Sequence, residues 1–287
     1  MVKFLIIGDL HGQKPNIHFE DHDAIIAPGD FCSNGFKKYI IQVMKENMEN
    51  PDLKKQWYDV VGKEEAQKMV DKSIKDGSEI LEYLNSLGVP VFAVPGNWDV
   101  REISMPPNDK NIEVYNKMVS GLENVTDVHH KIVDFKDFQI IGHGITSGPE
   151  YPQYEEDLNR AKKKGNLEEI KKDYEEGKGK VFSLFESANR PVIFLSHNVP
   201  FNTRVDMITW EGSPRKGQHF GSLITREACD KYQPVVCIGG HMHEHHDKDI
   251  LGKTVVINAG FGPIVNTLLE VEGSDIKGTE FHRNEQP

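Results

Sequence analysis

Five short runs of nearly unbroken apolar residues frame this chain. They lie at residues 2–7, 24–27, 89–94, 191–195 and 235–238. None shows the strict alternation of a half-exposed strand, so each predicts a strand buried on both faces, as in the middle of an α/β sheet. Between them the period changes. Tyr39, Ile40, Val43 and Met44 fall at helical spacing, as do Ile80, Leu81 and Leu84. Residues 36–87 therefore predict a mainly helical insertion with a charged, solvated middle, ended by Gly88. Residues 110–122 predict a further helix. Residues 129–141 predict a β-hairpin turning at Lys136-Asp137, in which His129, His130 and His143 are expected to be structural or solvent-facing.

Residues 148–180 are the most polar stretch and predict an exposed helical excursion. The Gly177-Lys178-Gly179-Lys180 segment inside it is no phosphate-binding loop, because it lacks that spacing and no strand leads into it. Residues 223–232 predict a short amphipathic helix, and residues 254–257 and 264–271 add strands. No internal repeat or Pro/Ser linker divides the chain. The simplest organisation is a single domain over 1–287 with helical insertions at about 36–87 and 148–187.

The strand exits carry the chemistry. The first ends in Gly8-Asp9-Leu10-His11-Gly12, the second in Pro28-Gly29-Asp30, the third in Pro95-Gly96-Asn97-Trp98-Asp99. The fourth ends in Ser196-His197-Asn198 and the fifth in Gly239-Gly240-His241-Met242-His243. Open α/β sheets place their sites at the carboxyl ends of strands. In extended backbone, residues i and i+2 point the same way, which would let Asp9 and His11 grip one metal ion. Each block alone has a plainer reading. Asp9 could cap a helix, Asp30 could be a turn aspartate, and Asn97 to Asp99 could simply form a turn. Together they offer four imidazoles, two carboxylates and one amide. Mixed nitrogen and oxygen donors suit Mn, Fe, Zn or Ni better than Mg or Ca. Seven ligands exceed one tetrahedral ion and suit two ions if one carboxylate bridges.

Composition narrows the partners. The chain has 287 residues, 37% hydrophobic and 28% charged, with a formal net charge of −11. Unaided nucleic-acid binding normally uses a basic face, so a nucleic-acid partner is not expected. No apolar run approaches the ~20 residues of a membrane helix, and no basic leader with a cleavage site precedes the first strand. The expected location is the cytoplasm, with no membrane partner. Cys32, Cys229 and Cys237 have no CxxC spacing, which argues against a disulfide framework or a zinc ribbon. Cys237 reads as a buried packing residue. A homodimer is compatible with the sequence but not specified by it.

Asp-x-His, Gly-Asp, Gly-Asn-x-Asp, a lone His after a strand, and Gly-His-x-His occur in this order over residues 9–243. The set resembles the calcineurin-like metallophosphoesterase superfamily. That resemblance implies a four-layer α/β sandwich of two mixed β-sheets flanked by helices. It also implies two divalent transition-metal ions. One would be held by Asp9, His11, Asp30 and His243, the other by Asp30, Asn97, His197 and His241, with Asp30 bridging. The implied activity is hydrolysis of a small phosphate ester by hydroxide formed from a water between the ions. Many members have histidine where this chain has Trp98, and there it protonates the leaving group. An indole cannot do so, and Asp99 loses the partner it would orient. This departure favours a phosphodiesterase over a phosphomonoesterase or protein phosphatase. A nuclease and a non-catalytic scaffold remain as weaker alternatives, the first disfavoured by charge and the second by the complete ligand set. The replacement acid is sought in the polar loop between the last two site strands. His219 is the candidate there, and Arg204 and Arg215 are candidates to bind phosphate.

Overall fold

A computed structural model describes residues 1–50, 52–103 and 107–284. The chain begins with β1 (Val2–Ile6), β2 (Ala24–Ala27), α1 (Lys37–Glu49), α2 (Tyr58–Val61) and α3 (Lys63–Asn85). Next come β3 (Val91–Ala93), α4 (Ile112–Val119), β4 (Val125–Asp127), β5 (Ile132–Phe135) and β6 (Phe138–His143). The polar excursion forms α5 (Glu155–Lys164) and α6 (Leu167–Ser187), followed by β7 (Val192–Asn198), α7 (Leu223–Tyr232) and β8 (Val236–Gly240). The chain closes with β9 (Lys248–Leu251), β10 (Thr254–Asn258), β11 (Val265–Glu272) and β12 (Asp275–Arg283).

These strands form two mixed six-stranded sheets, in the orders β12-β11-β1-β2-β3-β4 and β5-β6-β7-β8-β10-β9. Within the first, β1, β2, β3 and β4 are parallel neighbours. Within the second, β6, β7, β8 and β10 are. The unbroken apolar runs follow from this layering. On β1, Phe4 and Ile6 enter the core between the sheets, where Ile193, Leu195 and Ile238 of the second sheet meet them. Leu5 and Ile7 point to the opposite face and pack with Ile80, Leu81 and Leu84 of α3. On β7, Phe194 faces outward to Val181 and Phe185 of α6 and Ile224 of α7. Both faces of each central strand are covered, and each large side chain so buried contributes roughly 1.5–3 kcal/mol. The result is helix, sheet, sheet, helix.

Several sequence expectations need correction. The 148–180 excursion is not simply exposed, and the helix that ends it runs on to Ser187. Its first helix, α5, buries only Ala161, but α6 buries Tyr174, Val181 and Phe185 and seats the Phe185 ring 5.0 Å from Phe194. Strands β9 and β12 were not expected. Gly88, with φ +74°, lies two residues beyond the actual C-cap of α3, Ser86. The hairpin turns as expected between β5 and β6, but His129 and His130 precede its first strand.

Candidate metal centre

The exits of β1 and β2 lie side by side. Asp9 N–H donates to Gly29 O at 2.9 Å, His11 N–H to Asp30 O at 2.9 Å, and Gly12 N–H to Phe31 O at 2.8 Å. The backbone here is not extended, as the sequence argument for Asp9 and His11 had it. Asp9, His11, Asp30 and His241 have φ of 50°, 45°, 57° and 66°, the left-handed region that non-glycine residues rarely occupy. Two close approaches permit the arrangement. A Cβ on Gly96 would lie 2.1 Å from Asp30 Oδ1, and one on Gly240 would lie 2.1 Å from Asp9 Oδ2.

The seven expected ligands converge. Asp9, His11 and His243 form one group whose donor atoms lie within 4.8 Å of one another, and Asp30, His197 and His241 form another. Asp30 Oδ2 sits between the groups, 3.7 Å from His11 Nε2 and 3.7 Å from His197 Nε2. Asn97 Oδ1 is 3.1 Å from His197 Nε2. Asp9, His11, Asp30, Asn97 and His197 are buried, while His241 and His243 are half-buried.

The donor set fits divalent metal. His11 Nδ1 faces Cys32 O at 3.2 Å, and His197 Nδ1 faces Pro28 O at 2.7 Å. A carbonyl only accepts, so both rings carry their proton on Nδ1 and turn a bare Nε2 lone pair inward, as metal-binding histidines do. The lone pair of His197 then faces the carbonyl oxygen of Asn97, two acceptors with no proton between them. Asp9 Oδ2 accepts from His241 N–H at 2.9 Å. Asp9 Oδ1 is buried and makes no hydrogen bond, with His243 Nε2 3.3 Å away. Converging lone pairs and an orphaned carboxylate oxygen call for cations.

Electrostatics agrees. Burial and the charge of Asp9 push the Asp30 carboxyl up to about 8. Burial opposes ionisation of Asp9 too, but His243, with His197 and His11 behind it, holds that carboxyl down at about 2. Burial and His243 lower His11 to about 3, and burial lowers His197 and His241.

Asp99 is not free to act on substrate. Its Oδ2 accepts from Asp30 N–H and Gly96 N–H, both at 2.8 Å, and its Oδ1 accepts from Cys32 N–H at 2.8 Å. It ties the β2 exit to the β3 exit. His219 Nδ1 donates to the buried carboxylate of Asp206 at 2.6 Å. Among the described residues, His219 makes no hydrogen bond or ring contact with any of the seven ligands. Its neighbour Phe220 nonetheless accepts through its carbonyl from Asn198 Nδ2 at 2.9 Å, one residue after His197. Arg215 is spent on a two-pronged ion pair with Asp157, and Arg204 on Lys248 O and Asp249.

His129 and His143 are buried rather than solvent-facing. With His130 and Asp109 they form a stack beside the centre. Asp109, His129 and His130 have the spacing of a metal group, but the hydrogen bonding excludes it. His129 Nδ1 accepts from Gly144 N–H at 2.9 Å, so its Nε2 carries a proton and donates to Asp109 at 3.3 Å, leaving no lone pair for a metal. A cavity of about 620 Å³ opens against this stack, lined by residues including His143, Ser147, Tyr174 and Phe220. None of the seven ligands lines it, but its Gly144–Thr146 wall reaches the centre. Ile145 N–H donates to Pro95 O at 2.8 Å, and Thr146 Oγ1 accepts from Asn198 N–H at 3.1 Å.

Two packed mixed sheets, with carboxylates and imidazoles gathered at their strand exits, define a metallophosphoesterase fold. The chain belongs to the calcineurin-like phosphoesterase family, whose profile matches residues 2–245, and is thus a hydrolase of phosphoric ester bonds. It is similar to the uncharacterised protein MJ1162 of Methanocaldococcus jannaschii, 25% identical over 186 residues that make up 63% of this chain and 70% of that protein. Its fold is similar to the crystal structure of TT1561 of Thermus thermophilus, with a TM-score of 0.55 and 14% identity over 98% of both chains. Among the described residues, no helix is long and apolar enough to cross a membrane.

Proposed function

We propose that the protein is a phosphodiesterase acting on a small ester, with two transition-metal ions held as the ligand groups suggest. The observation that carries this reading is Asp30 Oδ2, equidistant at 3.7 Å from an inward-facing nitrogen of each group. Asp9, His11, Asp30 and His243 would hold one ion, and Asp30, Asn97, His197 and His241 the other. Two such cations supply a nucleophile at neutral pH and offset charge that develops on phosphorus-bound oxygens. The chain's own part is to hold the ligands rigidly, through the backbone ties of Asp99 and the Nδ1–carbonyl bonds of His11 and His197. The cavity behind the Gly144–Thr146 wall, which is tied to Pro95 and Asn198, would take the organic part of the ester. Trp98, where many family members carry the acid histidine, supports the diester preference by analogy with branches that differ at this position, and it leaves protonation of the departing alkoxide to another group. His219 is that group in this reading. With Nδ1 committed to Asp206, its Nε2 is the position that exchanges a proton with substrate. Three unpaired, buried cysteines support a cytoplasmic location.

The deciding experiment is turnover of matched phosphodiesters, phosphomonoesters and cyclic nucleotides after reconstitution with Mn, Fe, Zn or Ni. The expected result is two ions per chain and a higher kcat/KM for the diesters. A higher kcat/KM for monoesters would overturn the diester preference. A single ion with no turnover would overturn the whole reading.

A further inference from the structure

Arg101 stands out by what it lacks. Among the described residues, no carboxylate lies within ion-pair distance of its guanidinium and no group accepts a hydrogen bond from it. Its Nε is buried without a partner. Burial lowers its pKa, against a favourable pull from Asp30. An arginine has five N–H donors in a fixed fork, and leaving them unspent in a half-buried position is costly. The chain places it with care all the same. The guanidinium carbon sits 4.5 Å from the ring centre of Trp98, a stacking contact that fixes the plane of the fork. Trp98 in turn is locked to the centre. Its backbone N–H donates to Asp30 Oδ1 at 2.8 Å, and its ring meets His11 edge-on at 6.3 Å. The positive charge of Arg101 is felt at Asp30, where it opposes the upward shift of the carboxyl. At the rim, Lys37 opens α1. It too has no ion pair among the described residues, and its charge reaches His11, His241 and His243.

We propose that Arg101, braced on Trp98, binds the non-bridging oxygens of the substrate's phosphate beside the metal centre, with Lys37 adding a second charge at the rim. The inference rests on the phosphoesterase reading above. It gives Trp98 a positive role. The indole that cannot serve as an acid serves as the platform that holds a phosphate-binding fork. Arg204 and Arg215, the two arginines the sequence put forward, are already engaged by Asp249 and Asp157, whereas Arg101 is not engaged.

The test is binding of inorganic phosphate to the Mn-loaded protein by titration calorimetry, with metal content measured alongside. Arg101→Gln is expected to weaken phosphate binding about 10–100-fold, as loss of a charge-assisted two-pronged contact does, while the metal content stays at the wild-type value. With an ester substrate, KM should rise more than kcat falls. Lys37→Gln should weaken phosphate about threefold, since an exposed charge is screened. Should Arg101→Gln not fold, Arg101→Lys decides. Lysine keeps the charge and the stem but cannot form the fork, so a severalfold loss supports the proposal and an unchanged affinity overturns it. Wild-type protein that binds metal but no phosphate would sink the phosphoesterase reading and this inference together. Wild-type binding matched by Arg101→Gln would overturn this inference alone.

Discussion

At the scale of single residues, Asp99 shows how completely a buried carboxylate can be committed to backbone donors. Its neighbour Trp98 offers no imidazole to orient, and the two Asp99 oxygens accept from three backbone N–H groups of the β2 and β3 exits. Burial and the nearby Asp30 push that carboxyl up to about 6, against the pull of those N–H groups. Asp99→Ala would leave three buried donors unsatisfied, at about 1–3 kcal/mol each. Allowing for local relaxation, the expected loss is about 3–5 kcal/mol in denaturant unfolding, together with weaker metal retention. Normal stability in Asp99→Ala would show that the carboxylate is not the tie the geometry makes it. His219 sits at the other end of the chemistry. A general acid matters most for a poor leaving group, so His219→Ala should slow alkyl diesters about 10²–10⁴-fold and leave nitrophenyl esters and metal content nearly unchanged. Equal loss on both ester types, or on neither, would remove it from that role.

At the scale of elements, the site depends on how closely two strand exits can approach. Gly96 is glycine because Asp30 occupies the space a side chain would need, with Oδ1 2.1 Å and the backbone nitrogen 2.4 Å from the position of a Cβ. Gly96→Ala should therefore displace the shared carboxylate and reduce metal content at both positions. Gly35→Ala meets nothing within 4 Å and serves as the neutral control. Retention of two tightly bound ions in Gly96→Ala would contradict the shared role of Asp30. The same elements explain what could be read from the sequence. Strands β1, β2, β3, β7 and β8 are covered on both faces, so each is written as an apolar run, and the residues that leave it are easy to find. Strand β12 has no fully buried residue and β9 is half exposed. Their sequences carry no run, and pairing with a neighbour alone makes them strands. The stack of His129, His130 and His143 is equally hidden, because its partners Asp109, in a short 3-10 turn, and Gly144, after β6, come from separate segments. Arg101 is two residues beyond the Gly-Asn-Trp-Asp block, and only its unspent fork and its contact with Trp98 single it out. The backbone of Asp9 and His11 escapes the sequence for a related reason. A two-residue spacing brings side chains together in a strand, but here the left-handed turn does so.

At the scale of the whole molecule, the ligands divide between the two layers. Asp9, Asp30 and Asn97 leave β1, β2 and β3 of the first sheet, and His197, His241 and His243 belong to β7 and the β8 exit of the second, with His11 on the β1 exit beside them. Each proposed ion would thus join one sheet to the other across the upper edge of their common core. That edge gathers two buried carboxyls, of which Asp30 is pushed above the ordinary carboxylate range by burial and the charge of Asp9, and lone pairs that face one another, so the folded state gains from binding cations what the unfolded chain cannot. Linkage sets the size of the effect. An ion that binds only the folded protein adds about 2.7 kcal/mol at a hundred times its dissociation constant. For a chain of this size, each kcal/mol raises Tm by roughly 2 °C. With two such ions the sum is about 5.4 kcal/mol, so Mn-loaded protein should melt about 10 °C above the same protein treated with a chelator, and the gap should widen with Mn concentration. In Asp30→Ala the gap should close, because the residue shared by both groups is gone. If loaded and stripped wild-type protein melted at the same temperature, the ions would not span the two sheets, and the shared position of Asp30 would have to be explained by packing alone.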